Sequence, residues 1–210
     1  MGHKETVRRG YDEFAETYSA QSSVDKRKEA ILKAFLDSVL NPTRVLDAGC
    51  GHGTPVFRQV DVTPSVVGFD LSREQLQIAR ETEFAASLVQ GDMTWLPFRD
   101  RAFDAITAFD SLIHVPLPDR QSVIDEFARV LRPGGSVLLS EAPKEFERTT
   151  QDWLNSGGEM RWTMAGIEAT KETFRAAGFT VTKQWNAPER TEDDAPEPPF
   201  LAVRLDSSEN

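Results

Sequence analysis

Residues 44–53 read Arg44-Val45-Leu46-Asp47-Ala48-Gly49-Cys50-Gly51-His52-Gly53. Val45 and Leu46 form an apolar, β-type run that ends in the acidic Asp47, and three glycines at alternate positions follow at once. That order predicts a strand running into a backbone that bends sharply and lies close to a ligand, because a residue without Cβ permits positive φ and a close approach. In an open α/β sheet such a loop sits beyond the carboxyl ends of the strands, where ligands bind.

Downstream, the strand-then-helix pattern repeats. Ser65–Asp70 reads as a buried strand, with Ser72 as N-cap of a helix from Arg73 to Thr82. Pro55 suits the first turn of a helix after the glycine loop, where its missing N–H costs nothing. Ala86–Gln90 and Phe103–Phe109 read as strands. A helix from Asp119 to Leu131 is ended by Arg132-Pro133-Gly134-Gly135, and a strand from Ser136 to Glu141 follows.

Upstream, Val7, Tyr11, Phe14, Ala15 and Tyr18 fall on one face of a helix over 5–20, and Ile31, Leu32, Phe35, Leu36 and Val39 on one face of another over 24–40, which Asn41-Pro42 stops. Short connections between alternating strands and helices predict a parallel sheet covered on both faces by right-handed crossovers. The last third departs from this pattern. Helices are expected over 145–156 and 166–177, then strands over 179–185 and 200–205 with no helix between them, so that pair is antiparallel. The acidic, proline-rich connection from Ala187 to Pro199 reads as a solvated hairpin loop.

A chain of 210 residues suits one domain, taken as 1–210. Its net charge of −10 disfavours nucleic acid and anionic lipid as partners, and no apolar run reaches the ~18 residues that suggest a membrane span. With Cys50 as the single cysteine and no secretory signal in the first residues, a cytoplasmic protein is expected.

Three carboxylates stand at successive strand ends: Asp47, Asp70 and, just past the third strand, Asp92. Asp70 lies 21 residues after Gly49, about the spacing at which a carboxylate accepts hydrogen bonds from ribose hydroxyls in nucleotide-binding halves. An adenosine-containing ligand fits this row. The dinucleotide fingerprint requires G-x-G-x-x-G, whereas this chain has G-x-G-x-G preceded by Asp47. A carboxylate beside the loop is a poor neighbour for pyrophosphate and a tolerable one for an ammonium or a sulfonium, so a nicotinamide-dependent oxidoreductase is the weaker alternative.

Val45–Gly53, Val67-Gly-Phe-Asp-Leu-Ser72, Gly91-Asp92-Met93 and Leu131-Arg-Pro-Gly-Gly135 resemble, in order and spacing, the successive motifs of the class I S-adenosylmethionine-dependent methyltransferases. The resemblance implies a Rossmann-like, doubly wound, seven-stranded mixed sheet with the last strand antiparallel and helices on both faces. It implies S-adenosylmethionine as cofactor, with Asp47, Ala48, Gly49, Cys50, Gly51 and Gly53 around its methionine part. Asp70 would bind the ribose, Leu71 would pack on adenine, and Asp92 with Met93 would hold its amino edge. Phe109 and Asp110 would lie near the methyl group, and Tyr11 and Tyr18 would belong to an N-terminal helical lid over 1–40. A variable segment over 143–166 would cap the acceptor.

Methyl transfer from a sulfonium is an in-line displacement that gains from alignment and exclusion of water and requires no metal. A nitrogen or oxygen acceptor also has a proton to lose, for which His114 and Tyr11 are the candidates, though both side chains equally suit plain packing. His52 reads as a loop side chain, and Met160, Trp162 and Met164 as packing or the floor of an apolar pocket. The expected function is methyl transfer to a small molecule. A non-catalytic regulatory protein that binds S-adenosylmethionine is the other alternative.

Overall fold

The computed structural model describes residues 2–22, 25–53, 56–59, 65–81, 87–155, 157–187 and 198–207. Val24, Pro55, Thr82, Ala86 and most of the acidic loop after Ala187 lie outside the described residues. In chain order the elements are α1 (His3–Glu13), α2 (Ala15–Gln21), α3 (Lys26–Ser38), β1 (Arg44–Ala48), α4 (Val56–Gln59), β2 (Ser65–Asp70), α5 (Arg73–Arg80), β3 (Ser87–Gln90) and β4 (Phe103–Ala108). Two single 3₁₀ turns, Leu112–His114 and Leu117–Asp119, precede α6 (Arg120–Val130) and β5 (Leu131–Ser140). The chain continues through β6 (Phe146–Trp153), β7 (Gly158–Met164), α7 (Ile167–Ala176), β8 (Phe179–Trp185) and β9 (Phe200–Leu205).

Seven strands form one sheet in the order β3-β2-β1-β4-β5-β9-β8. β1 pairs in parallel with β2 on one side and β4 on the other, so the strand order reverses there and opens a crevice at the carboxyl ends. β9 runs antiparallel to both β5 and β8, giving the mixed edge expected of strands joined without a crossover helix. Central strands are buried on both faces: all six residues of β4 are buried, as are Val45 through Ala48 of β1. Two apolar clusters fill the two faces. One gathers Leu46, Phe103, Ile106, Phe127 and Phe174. The other gathers Leu32, Phe35, Val45, Phe57 and Phe200.

Three sequence expectations change. The helix expected over 5–20 breaks at Phe14 into α1 and α2. Strand β5 begins at Leu131, five residues before the expected start, because Arg132 to Gly135 form an irregularity between the Phe103–Leu131 and Ala105–Ser136 pairs. The largest change is in the segment read as a helix over 145–156, which is β6, paired antiparallel with β7 in a separate two-stranded sheet. Leu154, Asn155 and Gly157 all take positive φ (58°, 55° and 76°), which turns the chain back tightly and ends any helix. Burial of Trp153 and Met160 against Val7 of α1 then decides in favour of the hairpin.

Candidate active site

One cavity of about 340 Å³ opens at the crevice beside β1. It is lined by the glycine loop, by the residues that follow β2, β3 and β4, and by the inner faces of α1, α2 and the Leu112–His114 turn. Of the expected site residues, Tyr11, Tyr18, Asp47, Gly49, Cys50, Gly51, Asp70, Leu71, Asp92, Met93, Phe109, Asp110 and His114 line it. Ala48 and Gly53 do not. Ala48 is buried within β1. A Cβ on Gly53 would stand 2.4 Å from Phe57, so that glycine is required by its own loop's packing, with φ at +95°.

Gly49, at φ +83°, faces Ser111: a Cβ there would come within 2.2 Å of the serine Cβ. The loop thus lies directly on the end of β4. Asp47 is 3% exposed and accepts a hydrogen bond from Thr107 Oγ1 at 2.7 Å. Burial pushes its carboxyl up to about 7, against the pull of that hydrogen bond. Asp70 accepts from the backbone N–H groups of Gly51 and Ser72, both at 2.8 Å, and so ties the glycine loop to the start of α5. Burial raises its pKa while these N–H bonds oppose the rise. Asp92 bears the cost of partial burial, yet bonds from Lys4 (2.9 Å) and Thr94 hold it below the usual carboxylate range.

The N-terminal helices are fastened over this row. Asp12 Oδ1 accepts from Ser72 Oγ at 2.7 Å, joining α1 to the first turn of α5. Tyr11 packs edge-on against Tyr18, Trp153 and His114, with ring centroids 5.2, 5.0 and 5.3 Å away. Its hydroxyl is 3.0 Å from His114 Nε2, and His114 Nδ1 is 2.9 Å from the Arg161 carbonyl oxygen. A carbonyl only accepts, so Nδ1 carries the ring proton and Nε2 accepts the hydrogen bond from the Tyr11 hydroxyl. Burial lowers the His114 pKa to about 4, which keeps the ring neutral, and it raises Tyr18 to about 12 and Tyr11 well above its ordinary value.

Other candidates resolve into packing. His52 stands edge-on to Tyr18, with centroids 5.9 Å apart. Cys50 is buried, and burial first of all pushes its thiol pKa up, as expected of a small residue beneath the loop rather than a nucleophile. Met160 is fully buried in the Val7–Trp153 cluster, and Trp162 lies tilted against His114. Cavity residues that the sequence reading does not single out include Lys4, Lys28, Gln75 and Ser111. Lys4 lies in α1, Lys28 in α3 and Gln75 in α5. Yet both amide atoms of Gln75 and the hydroxyl of Ser111 are buried with no protein partner. Buried polar groups left this way point to a ligand that completes them.

Comparison with known proteins bears on the cavity's chemistry. Residues 45–135 match the methyltransferase domain family. The demethylmenaquinone methyltransferase of Staphylococcus aureus is 31% identical over 212 residues, covering 84% of this chain and 86% of that protein. A tRNA (carboxymethyluridine(34)-5-O)-methyltransferase of Arabidopsis thaliana is 29% identical over 75% of this chain and 41% of that one. In fold, the magnesium protoporphyrin IX methyltransferase of Synechocystis PCC 6803, solved with its S-adenosylmethionine, matches with a TM-score of 0.73 at 15% identity over 98% of both chains. The chain spans about half or less of the length of several further curated relatives that it matches.

Proposed function

Because the chain belongs to the class I S-adenosylmethionine-dependent methyltransferase family, we propose that it transfers a methyl group from S-adenosylmethionine to a small-molecule acceptor, releasing S-adenosylhomocysteine. The observation that carries this reading is a single cavity shared by the strand-end carboxylates and by the Tyr11–His114 pair.

The walls fit such a cofactor. Asp70 would take the ribose hydroxyls with the lone pairs its two N–H bonds leave free, and Leu71, Asp92 and Met93 would surround the adenine. Asp47, Gly49, Cys50 and Gly51 would lie along the methionine part, with Phe109 and Asp110 beyond. The unpartnered Gln75 and Ser111 supply polar atoms that a ligand would satisfy. When bound, the cofactor supplies an electrophilic methyl on a cationic sulfur.

The chain's own contribution is to align the acceptor, exclude water and move one proton. Tyr11 would receive the acceptor's proton at its phenolic oxygen while its own proton passes to His114 Nε2. A base with a pKa of about 4 is weak, which suits an acceptor that sheds its proton as it is methylated and becomes acidic. On this reading the chain is one domain in which residues 1–40 form the lid and the β6–β7 hairpin, within 143–166, the acceptor cap. Support comes from the shared cluster of Val7, Trp153 and Met160 that joins the two.

The small-molecule reading draws on the net charge of −10, which opposes a polyanionic acceptor even though one relative is a tRNA methyltransferase. Among the described residues no helix is long and apolar enough to cross a membrane. Calorimetric titration is expected to show binding of S-adenosylhomocysteine and none of NAD; the reverse would remove the reading. Incubation with S-adenosylmethionine and a metabolite extract should yield at least one methylated product by mass, whereas binding without any product would favour a regulatory protein.

A further inference from the structure

Arg120, the first residue of α6, is 5% exposed and does not line the cavity. A cation this deep is costly unless it is paired and its donors are used. One Nη pairs with Glu141, fully buried just past β5, and the other donates to the carbonyl oxygens of Leu112 (3.0 Å) and Thr163 (2.6 Å). Nε is buried with no protein partner. The guanidinium thus sits where its fork reaches the two carbonyls, at the expense of one of its own donors.

Each carbonyl belongs to one of the two segments that hold His114. Leu112 opens the 3₁₀ turn that His114 closes, and its carbonyl also accepts from the Val115 N–H at 2.9 Å. Thr163 stands two residues after Arg161 on β7, and carbonyls two residues apart on a strand point the same way. The Arg161 carbonyl accepts from His114 Nδ1–H at 2.9 Å, which leaves Nε2 for the Tyr11 hydroxyl at 3.0 Å.

We infer that Arg120 is a positioning residue for the Tyr11–His114 pair: by holding the Leu112 and Thr163 carbonyls on one guanidinium it sets the spacing between the turn and β7, and so keeps the ring proton of His114 on Nδ1 and Nε2 open to Tyr11. This assignment rests on the methyl-transfer reading and adds a residue that acts on the pair from outside the cavity. Stability alone is a poor account of the buried ion pair, because apolar residues of similar volume generally serve as well. What a guanidinium fork gives is fixed geometry. If Arg120 only staples α6 to the sheet, the His114 ring is indifferent to how the pair is replaced.

Two variants test this. Arg120→Lys keeps the charge opposite Glu141 and loses the fork. Arg120→Met combined with Glu141→Gln removes both charges and keeps an acceptor for the Thr170 hydroxyl. Nitrogen–proton correlation spectra of the labelled chain at neutral pH report which ring nitrogen carries the proton. The chain has three histidines, and the signal lost in His114→Gln identifies the ring. Wild type should show one Nδ1–H tautomer. Both variants should show a mixture or the Nε2–H form, with calorimetric affinity for S-adenosylhomocysteine unchanged. Turnover, followed as S-adenosylhomocysteine released with the metabolite extract, should fall roughly tenfold in each variant and show no further loss in a Tyr11→Phe background.

An unaltered Nδ1–H tautomer in the folded variants, losses additive with Tyr11→Phe, or a parallel fall in cofactor affinity would overturn the positioning role and leave the methyl-transfer reading in place. A wild type that releases no S-adenosylhomocysteine removes that reading, and this role with it. Thermal melts establish which variants are folded, and the charge-free double variant carries the test if Arg120→Lys is not.

Discussion

The glycine loop with its row of strand-end carboxylates and the helices α1 and α2, backed by the β6–β7 hairpin, meet at one cavity that the loop and the helices line, yet the two regions are built by different means. In the first region, position is fixed by the backbone: positive φ at Gly49 and Gly51, and Asp70 bonded to two main-chain N–H groups. In the second, position is fixed by side chains packed on one another, as Tyr11 is by Tyr18, Trp153 and His114. Backbone constraints leave residue-type signatures in a sequence. Side-chain packing can be met by many apolar and aromatic combinations, so it leaves few.

The joint between the two regions is Arg120. Its guanidinium pairs with Glu141 at the end of β5 and donates to the carbonyls of Leu112 (3.0 Å) and Thr163 (2.6 Å), binding the His114 turn and the hairpin to the sheet. Glu141 also accepts from Thr170 of α7 at 2.8 Å. Removing the cation leaves a fully buried carboxylate unpaired, so Arg120→Met should cost about 3–5 kcal/mol in urea denaturation. A loss within the ordinary surface range would show that the cap stands independently of the sheet.

The next test separates the regions by function. Tyr11→Phe removes the proton-handling hydroxyl and retains the ring that packs on Trp153 and Tyr18. It should lower kcat about 100-fold while affinity for S-adenosylhomocysteine and the melting temperature stay near wild type. A parallel fall in cofactor affinity would mean that the cap also builds the cofactor side.

The smallest expected effect belongs to the loop side. Asp47 has its folded pKa raised to about 7, so the folded state holds the proton more tightly than the unfolded one. Its contribution to stability is greatest below the ordinary carboxylate range and is lost as pH rises through about 7. Affinity for a cationic ligand moves the opposite way, rising as Asp47 ionises across the same window. Asp47→Asn should flatten both trends, measured as melting temperature and as calorimetric affinity at pH 5.5 and 8.5. Unchanged pH profiles would place the titrating group elsewhere.

The order of strands and helices around Arg44–Gly53 was legible because each local preference agreed with the fold: apolar runs for buried strands, glycine for positive φ, Ser72 for a cap that accepts from Gln75 N–H. The hairpin over 146–164 was not, because Glu147, Arg148, Thr149 and Thr150 carry no strong period. Leu154, Asn155 and Gly157, whose positive φ reverses the chain, fall where the sequence reads as the end of a helix over 145–156.

By itself, then, the sequence determined the doubly wound sheet, its antiparallel edge and the strand-end loop beside Asp47 and Asp70, because those depend on residues near one another along the chain. Only the tertiary structure decided that Tyr11 meets His114 across 103 positions, that Lys28 meets Asp110 across 82, and that the side-chain polar atoms of Gln75 and Ser111 are buried without protein partners. Such meetings follow from how helices and strands dock, and docking is set by packing summed over the whole core rather than by any short run of residues.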